Sequence, residues 1–308
     1  MATAPRALVE RPGRGRSAFS SERLIAVLLI VPSAVLVGVF VYAFIGYTGL
    51  VSLTSWRGIV PDYTITGLQQ YQQLFDLERF QADVSNTVRF TVLFLGASIF
   101  LGFGAALLLD QRLRGTIIFQ NVFLFPLAIS FVVTGTVWRW VFNPNYGINL
   151  LLDRAGLGFL SSDWLADVNV ALYGVVIAAT WQMSGFCMAM FLAGLRSIPE
   201  ELREAAQVDG ATWFQTFRHI ILPLLNPILL AAVIILGHIS LKIFDLVFVM
   251  TFGGPGFATD MPGLHMFIAT FRQNLYARGA AIATVLLLMV AVLIVPYLIW
   301  QQREERRA

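Results

Sequence analysis

His238, Lys242 and Asp245 fall at i, i+4 and i+7 within an apolar stretch, which puts an imidazole, an ammonium and a carboxylate on one face of a helix. Lys242 is the only lysine in the sequence. Ionisable groups at membrane depth face a bundle interior or a water-filled path. The residues alone leave two readings open. Lys242 and Asp245 neutralise one another a turn apart and orient the helix, or they contact a solute. His238, near the middle of the stretch, is read as a structural hydrogen-bonder or a ligand. Covalent chemistry finds no support: His219, His238 and His265 are too scattered for a metal site, and no serine, histidine and carboxylate stand in a catalytic motif. No G-x-x-x-x-G-K-[ST] phosphate cradle occurs. Cys187 is the single cysteine, so neither an intrachain disulfide nor a cysteine-based zinc site can form. The expectation is a chain that is not an enzyme and holds no cofactor or metal of its own.

A second constellation is polar and ordered. Glu204-Ala205-Ala206 is followed after three residues by Gly210, and nine residues later by Ile220-x-Leu222-Pro223. Ser197-Ile198-Pro199-Glu200 has the form of a capping box, which predicts a helix from about Ser197. Leu195, Ile198, Leu202, Ala205 and Ala206 recur at three- and four-residue steps as an apolar stripe, with Glu201, Arg203, Glu204 and Gln207 around the rest. Asp209-Gly210 favours a turn and a fresh helix start, and residues 211–221 are helical in composition until Pro223 and Pro227. Two short helices should meet at Gly210, with the small Ala205-Ala206 pair leaving room for another surface. Any one of these elements alone fits an ordinary hairpin between membrane spans.

The elements that must position both constellations are membrane helices. Residues are 57% hydrophobic and 13% charged, with a mean hydropathy of +0.74; soluble domains carry about 25% charged residues. Six runs are long enough to span, at residues 24–47, 88–109, 117–142, 170–195, 227–250 and 280–300. Thirteen arginines precede the first run, lie in the second loop, flank the Glu204 segment or end the chain, against seven in the opposite loops. The termini and the Glu204 segment are therefore expected in the cytoplasm. The first run is read as a retained helix, because it exceeds a signal-peptide core and no small-x-small site follows. Residues 1–22 read as a cytoplasmic tail, 48–86 as an extracytoplasmic segment, 87–300 as the core and 301–308 as a second tail. The arginines are dispersed among loops, so the pI near 9.2 points to membrane orientation and no nucleic acid.

The Glu204–Pro223 spacing closely resembles the EAA loop of binding-protein-dependent ABC importers, whose permeases seat this loop as a coupling helix in a cleft of the ATPase. From about Asn86-Thr87 to Trp300 the sequence is similar to the type I permease core. That resemblance implies an all-α membrane protein with six transmembrane helices in the inner membrane. It also implies a second, G-type permease, two copies of an ATPase that uses ATP and Mg, and an extracytoplasmic solute-binding protein. Phe244-Asp245 with Thr251-Phe252-Gly253-Gly254-Pro255 resembles the ending of the F-type subunit in maltose-type carbohydrate importers, and Gly67-Leu68-Gln69-Gln70-Tyr71 is similar to a turn ahead of their core, with Gln70 where asparagine is usual. Residues 137–149 resemble glucose- and mannose-type importers, while glycerol 3-phosphate, oligosaccharide and polyol permeases share the frame. Trp138, Trp140 and Tyr146 fit sugar stacking or an interfacial aromatic belt. Gln182 and Ser184, beside Trp181, fit hydrogen bonds to solute hydroxyls or helix packing. An ion-driven secondary transporter and a membrane enzyme are the competing classes, and both leave the EAA spacing without a role.

Overall fold

The structure is a computed structural model and describes residues 18–111 and 115–305. Most of the expected N-terminal tail, Arg112 and Arg114 of the second loop, and Arg306 and Arg307 lie outside the described residues. Residues 1–50 and 51–308 form two compact units. The first holds α1 (Ala18–Val37), a wide π-type turn (Gly38–Ala43) and most of α2 (Phe44–Ser52). Helix begins at Ala18, within the stretch read as tail.

The second unit contains α3 (Gln69–Asp76), α4 (Glu78–Asp110), α5 (Thr116–Leu124) and α6 (Phe131–Val141). A short helix, α7 (Ile148–Arg154), leads to α8 (Ala171–Ser197). After α9 (Glu200–Val208), α10 (Trp213–Thr216) and α11 (Leu222–Leu224) come α12 (Asn226–Leu241), α13 (Asp245–Met250), α14 (Pro262–Phe267) and α15 (Tyr276–Glu305). Among the described residues, four helices, or six spans if each bent pair counts as one, are long and apolar enough to cross a membrane.

Several boundaries differ from the sequence expectation. First, α4 starts at Glu78, well before Asn86-Thr87, and at 1.5 Å per residue its 33 residues reach about 50 Å, beyond the ~30 Å hydrocarbon core. Its extra turns are polar yet held by packing. His265 Nδ1 donates to Asp83 Oδ2 (2.6 Å), Arg79 Nε pairs with Asp260 Oδ2 (2.6 Å), and Asn86 Nδ2 donates to the carbonyls of Phe257 and Asp260.

Second, residues 117–142 are not one rod. Helices on either side of Ile129-Ser130 are bent by 103°. Pro126 lacks a donor in the turn after α5, and Ser130 caps α6 by accepting from the Val133 amide. Third, residues 227–250 break at Lys242, so His238, Lys242 and Asp245 do not share one continuous helical face. Asp245 opens α13, where its carboxylate meets the positive end of the helix. Pro223 and Pro227 sit in the first turns of α11 and α12 and do not terminate a helix; Trp213–Leu224 and Asn226–Leu241 are bent by 57°. The helix of α15 continues through residue 305, into the expected C-terminal tail.

α8 is the central element and is buried along most of its length. It runs parallel to α4, in contact at Gly102, where an added Cβ would come within 2.7 Å of the Ser184 carbonyl. Gly185 admits the α5 backbone so closely that a Cβ would overlap the Phe123 carbonyl, whereas Gly96 on α4 faces open space. Backbone cannot retreat as a side-chain tip does, and overpacking costs about 1–3 kcal/mol even where relief exists. Gly185→Val should therefore abolish or sharply reduce monodisperse protein in detergent size-exclusion, with a lowered Tm in whatever survives, while Gly96→Val should match the wild type. Equal behaviour of the two variants would show that α5 and α8 do not meet as described.

Candidate functional site

The Glu204 segment begins where α8 ends. Ser197 is the last residue of α8, and its hydroxyl donates back to the Gly194 carbonyl (2.8 Å), so the expected capping box with Glu200 does not form. Ile198 and Pro199 are extended, as a residue before proline prefers, and α9 starts at Glu200 without a side-chain cap. The capping box lies one helix later. Thr212 Oγ1 accepts from the Gln215 amide, and Gln215 Oε1 accepts from the Thr212 amide (2.7 Å).

Between the two helices stands Gly210 with φ +78°. Its amide donates to Gln207 O and the Ala211 amide to Ala206 O, the paired bonds of a left-handed helix end that glycine adopts without strain. A Cβ there would meet nothing within 4 Å. The joint therefore specifies backbone conformation and leaves its surface free.

α9 and α10 enclose a groove of about 510 Å³ that brings together Ala205, Ala206, Asp209, Gly210 and Ile220. Glu204, Leu222 and Pro223 do not line it; all three are exposed beside it. Around the groove Leu202, Val208 (88% exposed), Trp213 (66%) and Phe214 are turned outward. Arg203 turns inward, contrary to its place on the polar face: Nη1 pairs with Asp110 Oδ2 (2.9 Å) and Nη2 donates to Leu195 O (3.0 Å). Sequence spacing gave no sign of this tie, because its acceptors lie on two other helices.

Within the spans, His238, Lys242 and Asp245 line a cavity of about 190 Å³ with Phe131 and Phe244, so the two helix breaks open onto one space. Lys242 Nζ donates to His238 Nε2 (3.3 Å), and among the described residues no ion pair joins Lys242 to Asp245. The other candidates do not line this cavity. Trp138 packs against Phe142 and Trp181, with ring centroids 5.1 and 5.9 Å away. Gln182 Nε2 donates to the Ile129 carbonyl (2.6 Å), at the bend of the third span, and the Ser184 hydroxyl bonds to Trp181 O (3.3 Å). Trp140 and Tyr146 are exposed. The Asp83–His265 and Arg79–Asp260 pairs were not read from the sequence; their only signal is acidic and basic residues four apart at the start of α4, with partners some 180 residues away.

Residues 98–308 match the model of the binding-protein-dependent transport system inner membrane component family. A probable ABC transporter permease of Pyrococcus horikoshii is 42% identical, the match covering 91% of this chain and 97% of that protein. A xylose/arabinose import permease of Haloferax volcanii is 38% identical over 88% and 86% of the two chains. Among solved structures, a bacterial ABC transporter involved in the import of alginate has the same fold, with a TM-score of 0.77 and 21% identity over 94% of this chain and 98% of that one. Both the family match and these relatives cover the α9–α10 groove and the broken spans, which places the chain in the binding-protein-dependent transport system inner membrane component family, as an all-helical permease subunit of the carbohydrate ABC importer type.

Proposed function

We propose that this chain is the F-type half of a heterodimeric permease that imports a carbohydrate, delivered by an extracytoplasmic binding protein and driven by two copies of a separate ATPase. The observation that carries the reading is the α9–α10 element: two short helices joined at a positive-φ glycine, with Leu202, Val208, Trp213 and Phe214 exposed around an open groove. Large apolar side chains gathered on a segment that lies in water mark a protein interaction site. The ATPase would bind ATP and Mg; this chain would bind neither. Both termini and the groove lie in the cytoplasm on the arginine distribution. The solute is a monosaccharide of the glucose or mannose type or a small oligosaccharide, on the resemblance of residues 137–149 to such importers. Its path passes the cavity of His238, Lys242 and Asp245, with Trp138, Gln182 and Ser184 positioning the adjoining helices.

A side chain at Gly210 would carry a left-handed backbone penalty of about 1–2 kcal/mol but no clash. Gly210→Glu should therefore insert and assemble with the partner permease, yet lose stimulation of ATP hydrolysis by loaded binding protein in reconstituted complexes. Full stimulation with normal uptake would reduce this loop to a connector. The purified chain alone in liposomes should accumulate no sugar when ATP is added; accumulation would remove the need for partners.

The cavity generates a second expectation. Were Lys242 and Asp245 a mutually neutralising pair, deleting both would be milder than deleting one. Because the ammonium contacts His238 and no carboxylate among the described residues pairs with it, the Lys242→Ala, Asp245→Ala double variant should import no better than Lys242→Ala. Uptake measured in proteoliposomes at matched protein content decides this, and recovery in the double variant would put both charges in one pair.

A further inference from the structure

α9 has little to stand on. Of its nine residues only Ala206 is buried and Arg203 half-buried; the others are exposed. The two lie three residues apart, on one face of the helix. A methyl group gives contact without direction, so orientation falls to the arginine. Its planar fork makes two bonds to two different helices, Nη1 to Asp110 Oδ2 (2.9 Å) and Nη2 to Leu195 O (3.0 Å).

Both acceptors are places where a cation is wanted. Leu195 lies in the last turn of α8, whose final carbonyls have no partner within the helix. The Gly194 carbonyl is taken by Ser197, and the Leu195 carbonyl by Arg203. Asp110 is the last residue of α4, where a carboxylate opposes the negative end of the helix dipole until a cation offsets it. The only covalent link between α8 and α9 is the extended Ile198-Pro199 pair.

We infer that Arg203 is a positioning residue for energy coupling: its fork joins α9 to the cytoplasmic ends of α4 and α8, so that displacement of α9 is carried into both of these packed, parallel helices. This rests on the reading of α9 as the element that meets the ATPase. Arg203 itself points away from the exposed face. Its ion pair is partly solvated, with side chains 29% and 17% exposed, and such pairs add little to global stability. Removing it should loosen the transmission and spare the fold.

The test uses the complete complex, with partner permease, ATPase and loaded binding protein, in proteoliposomes where sugar uptake and phosphate release are measured together. In Arg203→Gln the ATPase should still co-purify and hydrolyse ATP, while sugar imported per ATP falls by about two- to thirtyfold, the span of coupling changes at residues that touch neither ligand. Arg203→Lys, which retains charge but cannot fork, should fall between. Asp110→Asn, away from the exposed face of α9, should lower the same ratio, and the exchange of charges in Arg203→Asp with Asp110→Arg should raise it above Arg203→Asp alone. A wild-type ratio in Arg203→Gln, or an exchange no better than the single variant, would overturn the inference. So would loss of ATPase co-purification in both Arg203→Gln and Asp110→Asn, since that signature belongs to binding and not transmission. If Gly210→Glu also leaves ATPase stimulation intact, the reading of the loop fails as a whole; if Gly210→Glu uncouples and Arg203→Gln does not, only the role of Arg203 fails.

Discussion

A helix broken inside a bilayer leaves carbonyls and amides that water cannot reach, and the bond from Gln182 Nε2 to the Ile129 carbonyl is the contact on which the sharpest break in this chain depends. The 103° bend between α5 and α6 would otherwise leave that oxygen orphaned, at a cost of about 1–3 kcal/mol. The same bend allows the α5 backbone to lie against Gly185 of α8 and sends α6 across to α13, where Gly135 meets Val249 and Met250. It also places Phe131 opposite the break at Lys242. Two irregular segments thus face one small space because one amide holds one carbonyl. A membrane tolerates irregular backbone where protein buries it or where it borders a cavity, and both conditions are met here.

The helices around this bend are fixed by close approach more than by apolar burial, since lipid solvates an apolar side chain as well as a protein interior does. Gly102, Gly185 and Gly194 let α4, α5 and α12 sit directly on α8. Thr91 Oγ1 donates to Ser240 Oγ (2.9 Å), a polar tie between α4 and α12. α4 is then secured at both ends. At its N-terminal end Asp83–His265 and Arg79–Asp260 hold it to the segment after α13; at its C-terminal end Asp110 meets Arg203. The long α4 thereby connects the groove to the loops at its far end through polar contacts whose partners are far apart in sequence.

Much of this was legible in the sequence where the signal is local. The positions of the spans, the turn at Gly210 and the helix pair around it follow from hydropathy and from glycine's freedom at positive φ. The breaks were not read, although Pro126 with Ser130, and Asp245 as a first-turn acid, were visible; apolar runs of 24 to 26 residues masked them because hydropathy does not register backbone direction. The capping box was placed at Ser197 when it belongs to Thr212 and Gln215, since Ser-x-x-Glu and Thr-x-x-Gln are equivalent patterns until the end of the preceding helix is known. The Arg203–Asp110 tie spans 93 residues and the Asp83–His265 pair 182, separations at which no periodicity carries information.

Exposed apolar side chains carry opposite meanings in the two parts of this molecule. Along α15, Leu287, Leu288 and Val292 are turned outward, and a lipid solvent makes that exposure cost nothing. On α9 and α10 the same exposure at Val208, Trp213 and Phe214 stands among Glu201, Glu204, Gln207 and Asp209, a composition that no hydrocarbon layer would accept. Water is the solvent that suits such a composition, and large apolar side chains gathered in it mark a surface for protein contact in a way that singly scattered ones do not. The stacking of Trp213 on Phe217, with rings 5.2 Å apart and 9° from parallel, fixes the indole from behind and leaves its other face free. Gly210 sets the angle between the helices, the Thr212–Gln215 box starts the second one, Phe217 backs the tryptophan, and Arg203 ties the first helix to α4 and α8, so the shape of this exposed surface is set by contacts within the chain itself.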